Sequence, residues 1–268
     1  MSDRPWQLKL FDKSLKKKQK VKILRTYLNT LDGEKCLLIT HGDNNGAMNY
    51  HIRNWGGTWT WAEFEDANLS SIEELLQEPV IRLDGSAGTL PFEDSTFDEV
   101  VVIDCHEHLH DPRLFNAELA RVTRSGGKVV VSVPNGDESK LAVRIKRLVG
   151  MTEKEYGHLV VGYSIPQMNV MLGEAGLRPF SSCTYAKFFT EVLELCINFA
   201  YVKVLSRRRK GKIKEGTIAP TTKEQMRSVA RSLKFYSLIY PFFLSISQLD
   251  ALLFHASGYA VVVAARKE

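Results

Sequence analysis

Seven short apolar runs stand out along the chain, at 36–40, 59–63, 80–83, 100–103, 128–133, 180–185 and 258–265. Each has strand length and is bounded by turn-forming or polar residues. Between them the apolar positions fall at helical spacing. Trp6, Leu10, Leu15, Ile23, Leu24, Tyr27, Leu28 and Leu31 predict one or two amphipathic helices before the Asp32-Gly33 break. Ile72, Leu75 and Leu76 predict a helix capped by Ser70 or Ser71. Further helices are expected over 114–122, 141–148 and 165–175, the last ended by Gly176. The runs at 100–103 and 128–133 flank one helix, which is the pattern of a right-handed crossover in a parallel sheet. The class is therefore α/β. The Ala-Val-Val-Val-Ala run near the end reads as a fully buried strand.

The connection between the last two strands is far longer than a simple loop needs. Residues 188–255 hold an aromatic-rich helix at 188–205, a basic block and an apolar stretch at 233–254. Pro241, Gln248 and Asp250 interrupt that stretch, which points to a core or interfacial helix and not a membrane span. Three parts are expected: a helical segment at 1–33, an α/β domain at 34–187 and 256–268, and a helical cap at 188–255.

Apolar residues make up 44% of the 268 positions, enough for a sizeable core. The net charge of +5 is concentrated in two blocks. One comprises Lys13, Lys16, Lys17, Lys18, Lys20, Lys22 and Arg25, the other Arg207, Arg208, Arg209, Lys210, Lys212 and Lys214. Such blocks suit an anionic membrane surface, a phosphate-bearing ligand or nucleic acid, and equally a solvated helix face. Cys36, Cys105, Cys183 and Cys196 lie far apart, which implies neither a zinc cluster nor a disulfide framework. The N-terminus lacks the apolar stretch of a signal peptide. A cytoplasmic protein is expected, with peripheral contact to the inner face of a membrane as a further expectation.

The densest chemistry runs from Leu83 to Asn135. In order come Asp84, Leu90-Pro91-Phe92, Phe97-Asp98, Glu107-His108-Leu109, Arg121-Val122 and Gly126-Gly127. These motifs, at these separations, resemble the class I S-adenosylmethionine-dependent methyltransferases of the small-molecule or lipid type. The resemblance covers roughly residues 36–185 and the closing strand. It implies a Rossmann-like, doubly wound, seven-stranded sheet, mostly parallel with the last strand antiparallel, preceded by N-terminal helices and carrying the helical insertion before that strand. It implies S-adenosylmethionine as cofactor.

The resemblance also assigns roles. Gly42, Asp43, Asn44 and Gly46 would surround the methionine portion at a strand–turn–helix, where backbone N–H groups face a ligand. Glu63 would accept from the ribose diol, with Glu65 as the fallback. Asp84 would accept from the adenine amine, and Gly85 would leave room for the ring. Asp104 and Cys105 would flank the methyl group. Two positions depart from the family pattern. Thr40 stands where an acid is usual, and Asn44 replaces a glycine, a change that asparagine's tolerance of left-handed backbone accommodates. A methyltransferase-like binding protein without activity is thus an alternative to an enzyme.

The cluster of His106, Glu107, His108, His110 and Asp111 has metal-ligand composition, but five adjacent residues cannot all face one ion, so no metal is expected. His158, in the run Tyr156-Gly157-His158, is the candidate general base. The expected reaction is methyl transfer, with oxygen the acceptor atom, to a small-molecule, glycan or lipid-linked acceptor roofed by the insertion. An RNA methyltransferase using the basic blocks ranks lower. The oligomeric state is not read from the sequence.

Overall fold

Seven strands, β1 (Lys35–Thr40), β2 (Thr58–Glu63), β3 (Val80–Arg82), β4 (Phe97–Ile103), β5 (Thr123–Pro134), β6 (Leu177–Tyr185) and β7 (Ala260–Lys267), form one sheet. Their order is β3-β2-β1-β4-β5-β7-β6. Strands β1 to β5 pair in parallel, and β7 runs antiparallel to both β5 and β6. The computed structural model describes residues 4–28, 31–42, 44–85, 88–205 and 219–268. Asp43 and the second basic block therefore lie outside the described residues.

The valine-rich strands are buried on both faces because side chains alternate along a strand. Val100 and Val102 join Leu37, Ile39, Val129 and Val131 on one face, while Val101 and Ile103 join Leu38, Val130 and Val262 on the other. The first face packs on α5 (Pro112–Val122) and α8 (Ile165–Glu174) through Leu119 and Leu172. The second packs on α1 (Trp6–Phe11), α2 (Leu15–Tyr27), α3 (Ala47–Arg53) and α4 (Asp66–Leu76) through Phe11, Leu24, Ile52 and Ile72. This is the doubly wound arrangement that the strand–helix alternation predicts.

Two expectations about helices change. α4 starts at Asp66, not after Ser70 or Ser71, because β2 ends at Glu63 and the chain turns at once. Ser71 lies buried within the helix. After α6 (Leu141–Leu148), α7 (Glu153–Tyr156) and α9 (Phe188–Phe199), α10 (Lys223–Ser247) runs straight through Pro241. The proline removes one backbone donor at a cost of about 3 kcal/mol. Packing of Tyr236, Tyr240 and Phe243 against Leu15 and Leu193 offsets that cost. Among the described residues no helix is long and apolar enough to cross a membrane.

One side chain explains why Leu90-Pro91-Phe92 and Arg121 occur together. The Arg121 guanidinium donates to the carbonyls of Phe92 (2.8 Å) and Leu90 (3.0 Å) and to the carboxylates of Asp94 (2.7 Å) and Glu118 (2.7 Å). Glu118 in turn accepts from the Leu90 N–H at 2.7 Å. Arg121 thus fixes the loop before β4 to α5 through the planar fork that lysine lacks. Replacing Arg121 by alanine leaves two carbonyls and two carboxylates without this donor. The variant should lose about 2 kcal/mol of stability, read as a lower urea midpoint; an unchanged midpoint would remove the role.

Candidate functional site

The site is built where β1, β2 and β4 end side by side. Their register sets Thr40 beside both Glu63 and Ile103. Beyond Thr40 the chain turns tightly through Gly42, with φ +78°, and Gly46, with φ +89°, and then enters α3. Gly46 is doubly constrained, because a Cβ there would stand 2.9 Å from the Ile72 Cα. The left-handed positions belong to these glycines. Asn44 is not among the residues with positive φ, so its tolerance of left-handed backbone goes unused. Its side chain works instead: the amide donates to Thr40 Oγ1 (2.9 Å) and Asn49 Oδ1 (3.0 Å), and its oxygen accepts from the Gly46 N–H (3.0 Å).

Glu63 is fully buried at the end of β2. It accepts from the Thr40 hydroxyl at 2.7 Å and from the Glu65 N–H at 2.9 Å. Burial pushes its carboxyl up to about 8, against those two hydrogen bonds. Thr40, where the family pattern has an acid, therefore links Glu63 to Asn44 and the turn. Asp84 and Gly85 are exposed at the end of the loop after β3. A Cβ on Gly85 would meet the Phe64 ring at 3.9 Å, so glycine leaves an ordinary contact distance above that ring.

A cavity of about 520 Å³ opens beside this turn. His41, Asp104, Glu107, His108 and His158 form part of its lining, and Glu63, Asp84 and Gly85 are not among the lining residues. A stack of rings divides the two regions. His41 lies 5.3 Å from Phe64 and 4.0 Å from His108, nearly parallel to the latter at 6°. The His41 and His108 rings thus line the cavity, while Phe64, Glu63, Asp84 and Gly85 are not among its lining residues.

Asp104 follows β4 with φ +51° and forms an ion pair with Lys20 of α2. Burial raises its carboxyl, but the charge and hydrogen bond of Lys20 hold it below the usual range. Cys105, expected to flank the methyl group, is turned into the core. Its Sγ lies 3.8 Å from the Ile39 carbonyl and 3.3 Å from the Ile103 carbonyl, and burial keeps it a neutral thiol.

The histidine cluster separates. His106 is buried against Asn116 at 2.7 Å, and burial pushes it down to about 4. Asp111 caps α5, accepting from Arg113 N–H (3.1 Å) and Leu114 N–H (3.0 Å), and His110 is exposed. His108 remains in the cavity. His158 arrives from the loop after α7, its ring edge-on to His108 at 4.8 Å and 88°. Burial, then the charge of His108, pushes His158 down to about 3. It is neutral at physiological pH, but so weak a base removes a proton with little driving force.

The roof comes from α2, α9 and α10. Glu191 of α9 is buried between Lys16, at 2.9 Å, and Lys146 of α6. Burial raises its carboxyl, and the two lysines outweigh this and bring it to about 2. Glu194 accepts from the Leu15 (3.1 Å) and Lys16 (2.9 Å) N–H groups and so caps α2 from α9. Asp250 caps α9, accepting from Lys187 N–H (2.9 Å) and Phe189 N–H (2.8 Å). The first basic block is thus partly internal, with Lys16 and Lys20 holding α2 over the site. Helical spacing could have flagged Lys20, which lies between Lys16 and Ile23 on the packed face; nothing in the sequence marks Glu191 as their partner.

Residues 41–131 match the family model described as "Methyltransferase domain". Over those residues the chain is similar to methyltransferase domains. Over 85 residues it is 35% identical to the norajmaline N-methyltransferase of Rauvolfia serpentina, covering 32% of this chain and 29% of that protein. It is 33% identical over 85 residues to a probable chloroplastic tocopherol O-methyltransferase of Oryza sativa subsp. japonica, covering 32% of this chain and 24% of the other. The match therefore spans less than a third of either relative. The phosphoethanolamine N-methyltransferase 2 of Haemonchus contortus, solved with S-adenosyl-L-methionine, shares the fold, with a TM-score of 0.56, 16% identity and coverage of 93% of this chain and 52% of that one. The family's cofactor is S-adenosylmethionine.

Glu63 also makes stability depend on pH. Its folded value of about 8 lies above the 4.5 of a free side chain. The stabilisation it gives is complete below about 4.5 and is lost as pH rises through 8, by up to about 1.4 kcal/mol per unit. The stability of the wild type relative to Glu63→Gln should therefore fall steadily between pH 5 and 8 in thermal unfolding. A pH-independent difference would mean that Glu63 titrates normally.

Proposed function

We propose that the protein is an S-adenosylmethionine-dependent methyltransferase that methylates an oxygen of a small-molecule or lipid-linked acceptor. The observation that carries this reading is the cavity at the carboxyl ends of β1, β4 and β5, placed against the Gly42–Gly46 turn and closed above by helices. Ligands of open α/β sheets bind at that edge. In this reading the chain has its methyltransferase domain at 34–187 and 256–268, N-terminal helices at 1–33 and a cap at 188–255.

The turn at Gly42, Asn44 and Gly46 would hold the methionine portion, Glu63 the ribose diol and Asp84 the adenine amine, with Gly85 leaving room for the ring. Asp43 belongs to the same turn. When bound, the cofactor supplies an electrophilic methyl group on a sulfonium. The chain's own residues do the rest. Asp104 presents a carboxylate at the end of β4, which favours the positively charged sulfonium. Neutral His158 accepts the hydrogen bond of an acceptor hydroxyl and orients it. Tyr236, Ile239 and Phe243 on α10 and Leu10 and Phe11 on α1 line the cavity and exclude water. Alignment and desolvation supply most of the acceleration such a transfer needs. The apolar wall suits an acceptor with an apolar body.

A second reading, a methyltransferase-like binding protein without activity, draws on Thr40 in place of the acid and on the burial of Glu63. Calorimetry with S-adenosylhomocysteine separates the two. The diol favours the ionised form of Glu63, so binding releases a proton below pH 8, and affinity should rise with pH by up to tenfold per unit between 6 and 8. Glu63→Gln should weaken binding by roughly tenfold to a hundredfold and abolish that dependence. Absence of binding by the folded protein at pH 8.5 removes the enzyme reading. With binding established, His158→Ala, by removing the orienting hydrogen bond, should lower kcat by about tenfold in turnover screens with labelled methyl donor against quinol, sugar and lipid-linked hydroxyl acceptors. An unchanged kcat would remove His158 from the reaction.

A further inference from the structure

The most conspicuous unexplained group in the cavity is Glu107. Its side chain is fully buried yet lines the cavity, and neither carboxylate oxygen has a hydrogen-bond partner among the described residues. Leaving such a group unpaired costs about 1–3 kcal/mol or more, and buried polar groups in folded proteins are nearly always paired. Two ring nitrogens converge on the same place. One ligand atom each from Glu107, His108 and His158 lie within 4.8 Å of one another. The His108 ring is already set for coordination. Its Nδ1 donates to the Gly157 carbonyl at 2.8 Å, which leaves the Nε2 lone pair free and fixes the ring's orientation.

We propose that Glu107, His108 and His158 bind a divalent transition cation in the wall of this cavity. Two imidazoles and one carboxylate suit zinc, iron(II) or manganese(II) better than the all-oxygen preferences of magnesium or calcium. Metal–ligand bonds of about 2.0–2.2 Å in tetrahedral geometry place donors about 3.3–3.6 Å apart, so the three side chains close by up to about 1.5 Å around the ion. The contiguous cluster in the sequence argues against an ion only while all five residues are asked to converge. The fold sends His106 to the core, Asp111 to a helix cap and His110 to the surface, and brings His158 from a loop fifty residues on. Of the nearby lysines, Lys20 pairs with Asp104, and Lys16 and Lys146 share the carboxylate of Glu191.

Three protein ligands leave coordination positions facing the cavity, the arrangement of catalytic sites. This role rests on the methyl-transfer reading; binding of the ion does not. An acceptor hydroxyl on the ion loses its proton to solvent near neutral pH. Its oxygen then forms the bond to the methyl carbon as the carbon–sulfur bond breaks, and that electron pair stays on sulfur.

The full-length protein, stripped with a chelator and checked for folding by circular dichroism, is titrated with zinc and with manganese(II) alone at pH 7.5. One equivalent of at least one ion should bind, with a changed electron paramagnetic resonance spectrum if it is manganese. His158→Ala and Glu107→Gln should each weaken binding by a hundredfold or more. Should Glu107→Gln fail to fold, His158→Ala, at a less buried position, carries the comparison. No binding by the folded wild type, or equal binding by His158→Ala, overturns the site. S-adenosylhomocysteine is titrated into the same samples. Its binding without metal binding sinks the metal site alone, and metal binding without it sinks only the methyl-transfer reading.

Discussion

The parallel register of β1 with β2 and β4 is the constraint from which the site follows. It aligns the carboxyl ends at Thr40, Glu63 and Ile103, so that one hydroxyl joins the strand end, the acid and the turn. A shift of one residue would turn Glu63 to the opposite face. It would also exchange the two valine sets of β4 between the two cores. Register is therefore held by the whole apolar interior, and the polar site inherits its precision from that interior. This is also why a buried glutamate survives at the sheet edge. The Thr40 hydroxyl and the Glu65 N–H satisfy part of it while the strands on either side keep water away.

Above the sheet a different force operates. The roof contributes only small apolar clusters, such as Leu15, Leu193 and Tyr240. Charges and caps give it a defined position: Glu191 between two lysines, Lys20 on Asp104, Glu194 on the first turn of α2 and Asp250 on the first turn of α9. Buried ion pairs of this kind add little net stability, but breaking one leaves an uncompensated charge. They suit a cover that must sit in one place over a cavity. They also explain why a run of lysines that looks like a surface patch is, in part, an internal fastening.

How much of this was legible in the chain follows from the range of each interaction. All seven strands could be read because their signal is local, a short apolar run between turn residues. The Leu90-Pro91-Phe92 and Arg121 motifs were legible as a resemblance, and the fold supplies their reason in five hydrogen bonds donated by one guanidinium. The start of α4 was misplaced because two serines imitate a cap. The path of α10 through Pro241 was missed because tertiary packing outweighs the local penalty. Asp104 and Cys105 were paired as neighbours in sequence, although Asp104 lines the cavity beside Lys20 while Cys105 turns into the core. The partnership of Glu191 with Lys16 and Lys146 joins three helices across most of the chain, and no local pattern encodes it.

The histidines show the same limit in its sharpest form. Composition groups His106, Glu107, His108, His110 and Asp111 because they are adjacent. The fold regroups them by direction, and the group that survives in the cavity is completed by His158, which composition leaves apart. The environment then determines what those residues can do. The Gly157 carbonyl takes the Nδ1 proton of His108, which leaves its Nε2 lone pair available beside a carboxylate without a partner among the described residues. A general base needs an affinity for protons near the working pH, whereas a metal ligand needs only a lone pair that protons do not occupy. The physical chemistry of this pocket favours the second role more strongly than the first.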